Sequence, residues 1–87
     1  MNNINGNDPV RIYPNPSNGT FIVETNNATG GEITISDVLG RVVMKQSINM
    51  NKQQIDMSDA AIASGEYMVT IRIDGELYTT KITLAKE

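Results

Sequence analysis

Neither cysteine nor histidine occurs among the 87 residues of this chain, and tryptophan is missing as well. Without cysteine, no disulfide and no thiolate-held metal can brace the fold. Without histidine, the chain lacks the side chain that titrates near neutral pH and the commonest transition-metal ligand. Ser-His-Asp and Cys-His nucleophilic chemistry are therefore excluded within it. Aromatics are down to three Tyr and one Phe, and the formal charge is −3. The basic stripe with stacking rings that nucleic-acid binding needs is not present. No apolar run nears the roughly 20 residues of a membrane-spanning helix, and no signal-peptide pattern opens the sequence.

What remains is one small domain's worth of β-forming residues punctuated by Gly and Asn. A chain of this length buries only about 60–65% of the surface its unfolded form exposes, so the core is thin. "MNNINGNDP" reads as a polar linker over residues 1–9, leading into a domain over residues 10–87 cut from a longer protein. "VRIY", Val10 to Tyr13, is a short strand stopped by Pro14 and Pro16, which cannot donate to a ladder. Asn18-Gly19 tolerates the positive φ of a turn. In "TFIVET", Phe21 and Val23 share a face opposite Ile22. "NNATGG", Asn26 to Gly31, reads as a loop, and "EITISD" puts Ile33 and Ile35 inward.

"VLG" turns the chain, "RVVMKQSI" gives a fourth strand of ambiguous facing, and a weak fifth strand runs from Gln53 to Met57. "SDAAIASG", Ser58 to Gly65, is too short for a stable helix and reads as a loop whose Ile62 plugs the core. The last stretch is the most regular. Tyr67, Val69, Ile71 and Ile73 alternate with Met68, Thr70 and Arg72, and Asp74-Gly75 makes a hairpin turn. On the return strand Tyr78, Thr80, Ile82 and Leu84 face one way, opposite Thr79, Lys81 and Thr83. Period-two alternation means one buried and one wet face. Seven such strands predict an all-β, two-sheet antiparallel sandwich.

The candidate chemistry is sparse. Asp37, Asp56, Asp59 and Asp74 fall at strand ends or turns, where Asp bonds nearby backbone N–H groups, so turn chemistry outweighs an acid–base pair. "NINGND" lacks the acidic spacing and closing Glu of a calcium loop and is expected to be solvated linker. "NGT" at Asn18 and "NAT" at Asn27 match a glycosylation acceptor, but Asn beside Thr is ordinary turn-to-strand composition. Arg72, Lys81 and Lys86, interleaved with Met68, form either a docking face or the wet side of a hairpin that guards its edge. Met44, Met57 and Met68 suit gap-filling in a thin core more than an adaptable contact surface.

Three segments in order, "VRIYPNPSNGTF", "ISDVLGRVV" and "SGEYMVTIRIDGELYTTKITLAKE", resemble the type A C-terminal sorting domain of the type IX secretion system of Gram-negative bacteria. They match the family's Tyr-Pro-Asn-Pro-x-x-Gly, Asp-x-x-Gly-Arg/Lys-x-Val and Gly-x-Tyr-x-Val motifs. The resemblance implies an immunoglobulin-like sandwich without catalytic function or cofactor. It also implies a cargo protein attached N-terminally, an outer-membrane translocon with its shuttle proteins, and a cell-surface sortase. Export would run through the periplasm to the cell surface or medium, with a cut expected within Asn2 to Asp8. Carried over by position, the recognition residues are Gly65, Tyr67, Val69, Lys81 and Lys86. Tyr13, Pro14, Asn15, Pro16, Gly19, Asp37, Gly40 and Arg41 support them. The alternative is an immunoglobulin- or fibronectin-like module that binds carbohydrate or spaces other domains, which exposed aromatic rings would favour.

Overall fold

The computed structural model describes residues 2–3, 10–25, 30–73 and 75–86. Its strands are β1 (Asn2–Asn3), β2 (Val10–Tyr13), β3 (Thr20–Thr25), β4 (Gly31–Asp37), β5 (Val42–Ser47), β6 (Lys52–Asp56), β7 (Gly65–Ile73) and β8 (Glu76–Leu84). The seven longer strands are those the alternation predicts. They form two sheets, β1-β8-β7-β4-β5 and β2-β3-β6, antiparallel throughout except where the two-residue β1 runs parallel to β8.

The core lies between the sheets and is made by the inward positions of each strand. Phe21, Val23 and Ile55 come from the smaller sheet, and Ile33, Ile35, Val69, Ile71 and Ile82 from the larger, all fully or almost fully buried. Ile62 packs against this cluster from the loop after β6, as its isolated apolar character predicts, and no helix forms there. Residues 26–29 and Asp74 lie outside the described residues. The register Ile73↔Glu76 is that of a two-residue hairpin turn.

Four details correct the expectations. Gly31 belongs to β4 rather than to the loop. Strand β7 passes so close that a Cβ there would press into the Arg72 carbonyl oxygen, so only glycine fits. Thr79 is buried despite its outward position, lying in register with Thr70 on one side and Asn3 on the other. Met57 fills the core and Met44 packs against it, but Met68 is exposed on the outer face of the larger sheet. Lys86 leaves the row of exposed cations, because its Nζ donates to the carbonyls of Asp59 and Ile62.

The two poles of the sandwich differ. One gathers the start of β2, the end of β3, the β5–β6 loop and the tip of the β7–β8 hairpin. There Val10 pairs with Thr25, Thr25 N donates to Asn51 O, and Ile48 N donates to Gly31 O. The other gathers the β2–β3 loop, the β4–β5 turn, the β6–β7 loop and the end of β8. Its marker pairs are Asp37↔Tyr67 and Gly65↔Leu84. All three motif segments end at this second pole.

Candidate recognition surface

The β2–β3 loop stitches the two sheets together at the motif pole. Ser17 bridges to Leu84 in parallel, its N–H donating to Thr83 O at 2.8 Å while Ala85 N donates to Ser17 O at 2.7 Å. Asn15 adds its side chain, with Nδ2 donating to Lys81 O at 3.0 Å and Oδ1 accepting from Thr83 N at 3.1 Å. Pro14 and Pro16, each preceded by a cis peptide bond, are exposed on either side of Asn15. Gly19 is buried against Ser58, and its carbonyl accepts from Met57 N. With β1 in register at Tyr78 and Thr79, the outer edge of β8 is occupied at 78–79, 81, 83 and 85. Strand addition onto that edge is therefore blocked at those positions.

The β4–β5 turn is a rigid loop built on one carboxylate. Asp37 Oδ1 accepts from Leu39 N at 2.9 Å and Arg41 N at 3.0 Å, and Oδ2 accepts from Arg41 Nε at 2.8 Å. Two backbone bonds close the same turn, Asp37 N to Arg41 O and Gly40 N to Asp37 O. Gly40 sits at φ +87°, which a residue with a Cβ adopts only at a cost. The Arg41 amide, with the Arg41 guanidinium and Leu39 amide behind it, holds the Asp37 carboxyl below its ordinary range. Asp56 and Asp59 play the same turn role, accepting from Ser58 N and Ala61 N, and the Ser58 hydroxyl and amide lower the Asp56 pKa. The turn chemistry expected of these aspartates is what the structure contains.

The residues carried over from the family separate into exposed and internal groups. Tyr67 is buried, its hydroxyl donating to Ala63 O at 2.6 Å, and Val69 is fully buried. Both build the core rather than the surface. Gly65 is exposed at the start of β7 and lines a shallow groove with Asp37, Leu39, Arg41 and Ser64. Lys81 stands on the outer face of the larger sheet, paired with Glu66 at 2.9 Å, and that carboxylate raises its pKa. Lys86 is turned inward, its Nζ donating to the carbonyls of Asp59 (2.8 Å) and Ile62, while its N–H donates to Ser64 Oγ. It latches the β6–β7 loop. Tyr13 is exposed, and its hydroxyl donates to Glu24 Oε1 at 2.8 Å, which raises its pKa.

Sequence reasoning passed over Ser17, which is 1% exposed and central to the stitching. Its signal was faint: a small polar residue between two loop formers. Val38 and Leu39, 73% and 75% exposed, carry no signal in the sequence beyond the turn that "VLG" predicts. Among the described residues, no three His, Cys, Asp or Glu side chains converge to hold a metal ion. No helix among them is long and apolar enough to cross a membrane.

The comparisons with known proteins agree with this picture. Residues 11–85 match the family model described as a secretion system C-terminal sorting domain. The chain is 31% identical over 74 residues to the ulvan lyase NLR42 of Nonlabens ulvanivorans, covering 84% of this chain and 14% of that protein. It therefore spans a small fraction of that relative's length. Among solved structures, it superposes with a TM-score of 0.72 on a DUF3244 family protein with an immunoglobulin-like β-sandwich fold from Bacteroides vulgatus. That match is 19% identical and covers 91% of this chain and 87% of the other. At that identity the likeness establishes the fold. With three ordered motifs on an immunoglobulin-like sandwich and a family match over nearly its whole length, the chain belongs to the C-terminal sorting domains of the type IX secretion system.

Proposed function

We propose that this domain is a non-enzymatic export signal. It directs a cargo attached at its N-terminus from the periplasm through the type IX outer-membrane translocon, and it is then recognised by the surface sortase. The observation that carries the reading is the gathering of three sequence-distant motif segments at one pole of a single small fold. A sorting signal must stay legible on unrelated cargo, so its own fold has to hold the legible surface in place. The Ser17–Leu84 bridge and the Asp37-centred turn do that work locally. The cut expected within Asn2 to Asp8 falls largely outside the described residues and stays part of the proposal.

The carbohydrate-binding alternative needs flat exposed rings. Among the described residues Phe21 and Tyr67 are buried, Tyr78 packs against the core, and exposed Tyr13 is tied to Glu24. A reporter carrying a signal peptide and fused ahead of residues 1–87 tests the export reading. It is expected at the surface or in the medium of a type IX-competent strain and trapped in the periplasm of its translocon deletion. Equal release from both strains refutes the proposal.

A further inference from the structure

From the polarity of the sandwich we infer that the machinery docks on the pole opposite the cargo, with Val38 and Leu39 as its apolar anchor; this rests on the export reading above. Strand β1 runs parallel to β8, with Asn2 beside Tyr78 and Asn3 beside Thr79, so Asn2 is the residue of β1 nearer the hairpin-tip pole. Val10 begins β2 at that same pole, beside Thr25. The start of β2 therefore lies at one pole of the sandwich and the β4–β5 turn at the other, and on the export reading the cargo joins the domain on the β2 side.

The turn's chemistry indicates the occupant. Two branched aliphatic side chains stand about three quarters exposed on a loop fixed by five hydrogen bonds to Asp37. Exposed to that extent, the Val38 and Leu39 side chains bury little apolar surface, so the fold gains little from their being apolar. A rigid turn that presents apolar groups binds with little ordering cost, which suits a protein pocket. Next along the chain, Arg41 keeps its side chain three quarters exposed beyond the Nε–Asp37 bond, and Val42 is a further exposed apolar residue, at the start of the edge strand β5. The partner is thus a protein of the type IX outer-membrane machinery that offers an apolar cleft rimmed by carboxylate. The covered edge of β8 leaves side-chain contact, rather than strand addition there, as the mode of recognition.

The test uses the full-length protein with its cargo in a type IX-competent bacterium. The double variant Val38→Ser/Leu39→Ser is compared with Met50→Ser, which removes another mostly exposed apolar side chain, from the pole where β2 begins. Surface delivery is expected to fall at least tenfold in the double variant and to stay unchanged in Met50→Ser, with both melting like the parent. Normal delivery of the double variant overturns the inference, as does an equal loss in Met50→Ser. Either result leaves the export reading standing, whereas parental delivery that survives translocon deletion removes both. Should the double variant melt early, a photo-crosslinking residue at position 39 decides. An adduct with an outer-membrane translocon component from position 39 and not from position 50 supports the docking pole, and its absence from position 39, or capture of the sortase alone, refutes it.

Discussion

Ser17 lies parallel to Leu84, and that one bridge fastens the first motif segment to the last strand across 67 residues of sequence. Ser17 is buried, and its hydroxyl donates to Thr20 O at 2.8 Å and accepts from Gly19 N at 3.1 Å. Ser17→Ala leaves those two groups without their partner, at a cost of about 1–3 kcal/mol. In a domain of this size each kcal/mol lowers the melting temperature by about 4–8 °C, which calorimetry resolves. An unchanged melt would mean that the hydroxyl's bonds to Thr20 and Gly19 contribute nothing to holding the loop.

Lys86 is expected to act as a latch rather than as a surface charge. In Lys86→Met the carbonyls of Asp59 and Ile62 lose their ammonium donor. Hydrogen exchange at Ala61 and Ile62 should then accelerate several-fold, while the amides of β4 and β7 keep their protection. Uniform acceleration would point to global destabilisation instead.

Acid should loosen the β4–β5 turn. The Asp37 carboxyl has a folded-state pKa below its ordinary value of 3.8. A depressed carboxyl pKa contributes stability that is present above the unfolded value and is lost as pH falls through the folded one. The stability difference between the parent and Asp37→Asn is therefore expected in full at pH 6 and should shrink below about pH 3.8. Titration of the Asp37 carboxyl carbon by NMR checks the sign directly, since a midpoint at or above the ordinary value contradicts it.

Gly31 and Gly30 offer a matched pair. A Cβ at Gly31 meets the Arg72 carbonyl and the Ile48 side chain, while one at Gly30 meets nothing within 4 Å. Gly31→Ala should force β4 and β7 apart and cost about 1–3 kcal/mol, as overpacking does. Gly30→Ala should change stability little. Denaturant midpoints measured side by side distinguish them.

The thin core makes one aromatic decisive. Phe21 is 1% exposed, and Phe21→Ala costs about 3–5 kcal/mol. Total stability for 87 residues is only roughly 4–13 kcal/mol at 0.05–0.15 per residue. Circular dichroism should show a large unfolded fraction or a steeply lowered melt. The same reasoning disqualifies deletion of the β7–β8 hairpin as a test of recognition. Among the described residues it supplies Tyr67, Val69, Ile71, Ile73, Ile82 and Leu84 to the core, so its removal unfolds the domain.

The alternation of Tyr67, Val69, Ile71 and Ile73 determined by itself that a strand lies there and which face is dry, because the pleat turns every second side chain the same way. Likewise, a carboxylate two residues ahead of a free amide was enough to make turns of Asp37, Asp56 and Asp59. Tertiary structure alone decided that Ser17 is buried, that Lys86 points inward, that Gly31 must accommodate Arg72, and that the motif pole lies opposite the start of β2. Those facts rest on contacts between residues that are distant in sequence, as Asn15 is from Lys81 and Thr83. A two-residue period carries no information about which strand edge a loop will reach, because that depends on how two sheets stack.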